Sequence, residues 1–160
     1  MEAGFFVPIS TPRRIFPPVG RATKGTHNMK KYLLGSLVVF IAWSILDFII
    51  HGKMLSPMYM ETASLWRPMD QMNMGLMFLV RALFALLFSA IYVYQVKGSS
   101  VSAGAKYGLL FGLATGVHMG LGSYGYMPIP MSLAWGWLLG CVVNSVVGGA
   151  LLGWVAKSPA

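Results

Sequence analysis

GAKYGLLFGLATGVHMG, residues 104–120, carries a glycine at every fourth position: Gly104, Gly108, Gly112, Gly116 and Gly120. The positions between them are mostly apolar, and the spacing is helical. Glycine costs about 1 kcal/mol relative to alanine in a helix in water, so five in one helix need a compensating use. A membrane supplies one, because small residues let lipid-embedded helices bring their backbones close together. The theme recurs downstream, where Gly136, Gly140, Asn144 and Gly148 are again four apart, and Gly149 with Gly153 continues on a neighbouring row. Only a short connection broken by Pro128 and Pro130 separates the two segments, which predicts an antiparallel hairpin with its backbones in contact. Steps of four drift by about 40° per turn, which favours a right-handed crossing. A homodimer seam is the rival use of the same glycines.

Composition places the whole chain in the same class. Of 160 residues, 56% are hydrophobic and 10% charged, a balance that excludes an ordinary soluble domain. The net charge of +8 would suggest nucleic acid in a soluble protein, but no basic patch interleaved with aromatics occurs, and no nucleic-acid partner is expected. One cysteine, Cys141, lies in an apolar stretch, so there is neither a disulfide framework nor a cysteine zinc site.

Working outward from the glycine segments gives four candidate spans, at about 32–50, 74–96, 104–123 and 133–155, each near the ~20 residues that a bilayer core requires. The predicted fold is an all-α, integral membrane four-helix bundle over residues 29–157. Residues 1–28, with Pro8, Pro12, Pro17 and Pro18 and no helical period, read as a disordered N-terminal tail. Met29, Lys30 and Lys31 before an apolar run also suit a start of translation, in which case the upstream segment is not translated; an organellar transit peptide is the rival reading. Lys30, Lys31, Lys97, Lys106 and Lys157 flank one side of the membrane and only Lys53 and Arg67 the other. The positive-inside rule then puts both termini in the cytoplasm and the 52–73 connection outside.

Ionisable residues inside spans are functional hypotheses by default. There are three: Asp47, Arg81 and His118. At about 1.5 Å per residue, all three fall in the outer half of the membrane. On the first span Ser36, Ser44, Asp47 and His51 share one sector. On the third, His118 points away from Gly116 and Gly120, which turns it towards the first two spans if the glycines face the fourth. The expected polar cluster is Asp47, His51, Arg81 and His118, with Asn144 from the glycine row of the last span. Such a cluster serves to bind or pass a small solute or ion, and an Asp and Arg on adjacent helices serve equally to fix register.

Ten of the 12 methionines lie on the outer side in this topology. Met58 and Met60 form an MxM, and Met69, Met72, Met74 and Met77 an MxxMxMxxM run. Thioethers suit Cu(I), so copper handling is a second reading, although methionine is also a common apolar filler. A structural or assembly subunit that meets another membrane protein, or a second copy, through its glycine faces is a third. HExxH, Walker and GxSxG motifs are all absent, and the chain is not expected to be an enzyme. The stretch HGKMLSPMYMETASLWRP at 51–68, with Asp47 just upstream, resembles the first loop of small uncharacterised four-helix membrane proteins of bacteria. That resemblance implies the bacterial inner membrane and assigns no functional residue.

Overall fold

The computed structural model describes residues 25–96 and 98–157, and all regular structure among them is helical. Five α-helices follow one another: α1 Gly25–Ile49, α2 Ser56–Glu61, α3 Met74–Gln95, α4 Val101–Gly116 and α5 Met131–Lys157. Residues 1–24, most of the expected tail, and Lys97 lie outside the described residues, whereas 25–28 belong to the first turn of α1.

Local chemistry sets the helix ends. Asn73 caps α3, its side chain accepting from the Leu76 amide at 2.9 Å, and Ser100 caps α4 by accepting from Ala103 at 3.1 Å. Pro57 stands in the first turn of α2, where a missing amide hydrogen costs nothing. Both α1 and α4 finish in a π-helical turn at the same end of the molecule, Ile50–Met54 and Val117–Gly122 respectively.

Three helical stretches are long and apolar enough to cross a membrane: Met29–Met54, Met74–Gln95 and Met131–Lys157. The segment expected as the third of four spans is not among them. Its 16-residue α4 is extended by the six-residue π turn, so length is adequate. Its glycines, Lys106 and His118 dilute its apolarity.

The four long helices form a ring in which α1 packs on α3 and α5, α5 packs on α4, and α3 meets α4 through aromatic rings along part of its length. The α4–α5 contact is backbone on backbone. A methyl group at Gly104 would overlap the Gly149 carbonyl, and one at Gly108 the Ser145 carbonyl. At Gly112 it would lie 2.7 Å from Val142 Cα, and at Gly116 2.8 Å from the Leu138 carbonyl oxygen. The α5 side of this seam is Gly149 and Gly153, whose methyls would overlap the Gly104 and Ser100 carbonyls.

The row Gly136, Gly140 and Gly148, expected to join that seam, faces α1 instead. Methyls there would meet Leu55 at 2.6 Å, Ile50 at 3.3 Å and the Trp43 indole nitrogen at 2.8 Å. Helix α5 thus carries two glycine rows about 100° apart, one for each neighbour. Since Gly104 to Gly120 are covered within the chain, a homodimer seam on that row requires α4 and α5 to separate.

Two apolar clusters fill the ring. Near the lysine-bearing end, Val39, Trp43, Ala85, Phe88, Tyr92 and Leu152 pack together with Tyr107 and Phe111 against them. The tyrosine hydroxyls there reach helix and loop carbonyls: Tyr107 donates to Phe88 O and Tyr92 to Gly98 O, both at 2.8 Å. At the opposite end, Ile50, Leu55, Ile129, Leu133 and Ala134 gather residues of the 52–73 connection, including Tyr59, Leu65 and Trp66. That connection is folded onto the bundle.

Replacing Gly108 by alanine should lower the stability of the detergent-solubilised protein by about 1–3 kcal/mol, the usual cost of overpacking a tight contact. Gly75, whose added methyl would meet only Asn73 Oδ1 at 3.6 Å, should accept alanine neutrally or with a small gain. Thermal unfolding followed by circular dichroism compares the two.

Candidate functional site

The site is built where α1, α3 and α5 meet, towards the end that carries the 52–73 connection. Asp47 projects from the last turn of α1, and its Oδ2 lies 2.7 Å from Arg81 Nη2 on α3. The other carboxylate oxygen, Oδ1, accepts from Asn144 Nδ2 on α5 at 2.5 Å. One carboxylate therefore joins three helices. Asn144 is held in turn from its backbone, since Trp43 Nε1 donates to its carbonyl oxygen at 2.6 Å. The indole reaches that carbonyl through the space left open at Gly148.

The cluster is neither sealed nor fully satisfied. The Arg81 and Asp47 side chains are 25% and 22% exposed. A guanidinium carries five N–H donors, and the Asp47 carboxylate is its one ionic or hydrogen-bonding partner among the described residues. Asn144 Oδ1 is buried with no hydrogen-bond partner. Most buried side-chain polar atoms in native proteins are paired, so this acceptor and the unused guanidinium donors leave hydrogen-bonding capacity at the cluster.

His51 joins this site through the folded connection. Its Nδ1 lies 2.7 Å from the Tyr59 hydroxyl, which accepts from Trp137 Nε1 at 2.7 Å. Burial pushes the Tyr59 hydroxyl above its ordinary value of 10.0, against a smaller opposite pull from the Trp137 hydrogen bond. The phenol therefore keeps its proton at neutral pH. Donating that proton to Nδ1 satisfies both groups and fixes His51 as the Nε2–H tautomer. Asp47 and Arg81 are both near enough to act on the imidazole electrostatically. Thr62 and Trp66 brace Tyr59 from behind: Trp66 Nε1 donates to Thr62 Oγ1 at 2.9 Å and the Trp66 ring lies edge-on to Tyr59.

His118 does not join the cluster. It is exposed on the π turn that ends α4, beyond the point where the ring contacts between α3 and α4 end at Phe84 and Phe111 among the described residues. The serines of the α1 stripe do not join either. Ser36 and Ser44 donate back to Tyr32 O and Phe40 O within their own helix, both at 2.8 Å.

Among the methionines, Met58 is taken up by the apolar cluster at this end and Met72 is half-buried, whereas Met60, Met69, Met74 and Met77 are exposed. Among the described residues, no three His, Cys, Asp or Glu side chains converge on a point that would hold a metal ion. Tyr59, Trp137 and Trp43 are the site residues that the sequence reading left out; the first two had the aromatic signature of interface anchors and carry hydrogen bonds as well.

Asp47→Asn and Arg81→Gln should each destabilise the protein by about 1.5–3 kcal/mol, the range for a hydrogen bond to a charged group. The double variant should recover part of the loss, with a coupling of about 1 kcal/mol or more in a double-mutant cycle; simple addition of the two losses would contradict a direct pair. Tyr59→Phe removes the donor to His51 and the acceptor of Trp137, and should cost about 1 kcal/mol on the same assay.

Comparison of the chain with protein-family models, with curated proteins and with solved structures finds no match.

Proposed function

We propose that this chain is a four-span, non-enzymatic membrane protein that binds a small polar solute at Asp47, Arg81 and Asn144, reached from the extracytoplasmic side. The observation that carries the reading is the unused hydrogen-bonding capacity at a partly open ion pair: four guanidinium N–H groups and the buried Asn144 Oδ1. A pair kept only to fix helix register gains from closing its hydrogen bonds, since each unsatisfied buried group costs about 1–3 kcal/mol. A solute with an acceptor for Arg81 fits a site left incomplete in this way.

Topology supports the direction of access. The helices are antiparallel neighbours, with Gly35 against Leu152 and Gly136 against Leu55. That arrangement collects Lys30, Lys31, Lys106 and Lys157 at one end and the 52–73 connection at the other. The positive-inside rule assigns the first end to the cytoplasm. The fourth span is α4 with its π turn, which is held against α5 by glycine and so needs less apolarity of its own.

Two measurements test this reading. Purified protein warmed with a panel of small carboxylates, phosphate and zwitterions should show a raised unfolding midpoint with at least one of them. Arg81→Gln should abolish the shift. No shift with any member at millimolar concentration would contradict solute binding. For orientation, in a Cys141→Ser background, Glu61→Cys should react with an impermeant maleimide added outside intact cells, and Lys106→Cys only after permeabilisation.

A further inference from the structure

The contact between α3 and α4 is a ladder of rings: Tyr92 on Tyr107, Phe88 on Tyr107 and Phe111, and Phe84 on Phe111, with centroids 4.7–5.7 Å apart. It stops there. The next positions on the same faces, at steps of three, four and seven, are Val80, Arg81 and Met77 on α3 and Ala114, Thr115 and His118 on α4. Opposite Arg81, α4 thus offers a methyl and a hydroxyl where the preceding rungs offer rings.

The consequence is visible in exposure. Every residue from Asn73 to Val80 is exposed, as are Ala114 and His118 on the side of α4 that faces α3. The outer half of α3 therefore stands away from α4. The gap leads to Arg81 from the side of the bundle, between helices that face lipid.

We infer that the Arg81 site opens sideways into the membrane, between the outer halves of α3 and α4, and takes the carboxylate of a long-chain fatty acid. This rests on the reading of Arg81 as the ligand-binding group and replaces the small polar solute and its extracytoplasmic route with a single-chain amphiphile and a lateral one. Three observations select the occupant. The entrance walls, Met77, Val80 and Phe84 on α3 and Ala114 on α4, are apolar and exposed, as an acyl chain requires. Arg81 lies seven residues inside Met74, about 10 Å below the helix end, a depth that suits a compact headgroup on a single chain. The edge of the guanidinium not held by Asp47 presents paired N–H donors, the fork that matches a carboxylate. His118 stands on the opposite wall, one turn further out than Arg81, as a second donor along the route.

The test uses the full chain in phosphatidylcholine vesicles and a stearate with a nitroxide near its carboxyl. Electron paramagnetic resonance should show a motionally restricted fraction about threefold or more above that of equally loaded spin-labelled phosphatidylcholine, as expected for a charge-assisted bidentate contact. Excess oleate should displace it and acetate should not. Ala114→Phe, at an exposed position whose side chain takes no part in the ion pair, fills the missing rung and should reduce the restricted fraction to the phosphatidylcholine level without lowering the unfolding midpoint. Arg81→Gln should do the same to the restricted fraction. The wild-type displacement needs no variant, so a poorly folding Arg81→Gln leaves the test intact. No preference over phosphatidylcholine, or an undiminished signal in Ala114→Phe, would overturn the inference. Displacement by acetate would also overturn it while leaving a small-solute site at Arg81 standing.

Discussion

The structure depends on the contact of peptide backbone against peptide backbone between α4 and α5. At Gly104, Gly108, Gly149 and Gly153 there is no side chain to separate the helices, and a methyl at any of the four would overlap a carbonyl across the seam. Dispersion between closely approached backbones is the available attraction once lipid has removed the hydrophobic drive. Such a contact has little freedom to repack, because no rotamer can change. It fixes the rotation of α5 about its own axis, and with it everything carried on the other face of that helix. Asn144 is the residue before Ser145, whose carbonyl receives Gly108; its side chain therefore lies about 100° away, on the side of α1, where it meets Asp47.

Helix α3 is held differently. It meets α4 through rings and α1 through the Asp47–Arg81 pair together with ring contacts such as Trp43 on Phe84. Aromatic contacts are strong but adaptable, each worth about 0.5–1.5 kcal/mol beyond area burial, and they leave the helix axes farther apart than glycine does. The bundle thus has a stiff half, α4 with α5, and a half joined by side chains. The polar cluster sits across the division, with Asn144 positioned by the stiff side and Asp47 and Arg81 delivered by the other.

Much of this arrangement is legible in the sequence. The glycine steps announce close packing because few other uses repay five glycines in one apolar helix. Asp47 and Arg81 stand out as lone charges in apolar runs at matching depth. The errors have physical causes. Gly136, Gly140 and Gly148 share their spacing with Gly104 to Gly120, but spacing names a face without naming the neighbour, and α5 has two neighbours. His118 points away from the α4–α5 seam as phase requires, yet phase cannot say whether the next helix is still there two turns beyond the last aromatic rung. The Tyr59 bridge between His51 and Trp137 depends on how the 52–73 connection folds back, and no periodicity in that stretch encodes it.

The Trp43 indole occupies the volume that a side chain at 148 would need, and from that position it reaches the Asn144 carbonyl. Positions 43 and 148 therefore behave as a single shared volume distributed over two helices. In relatives of this chain the two sites should change together: a larger residue at 148 is compatible only with a smaller one at 43, and that exchange also removes the indole tether on α5. Covariation between two positions separated by 105 residues would then arise from one indole ring, with no ligand or partner involved.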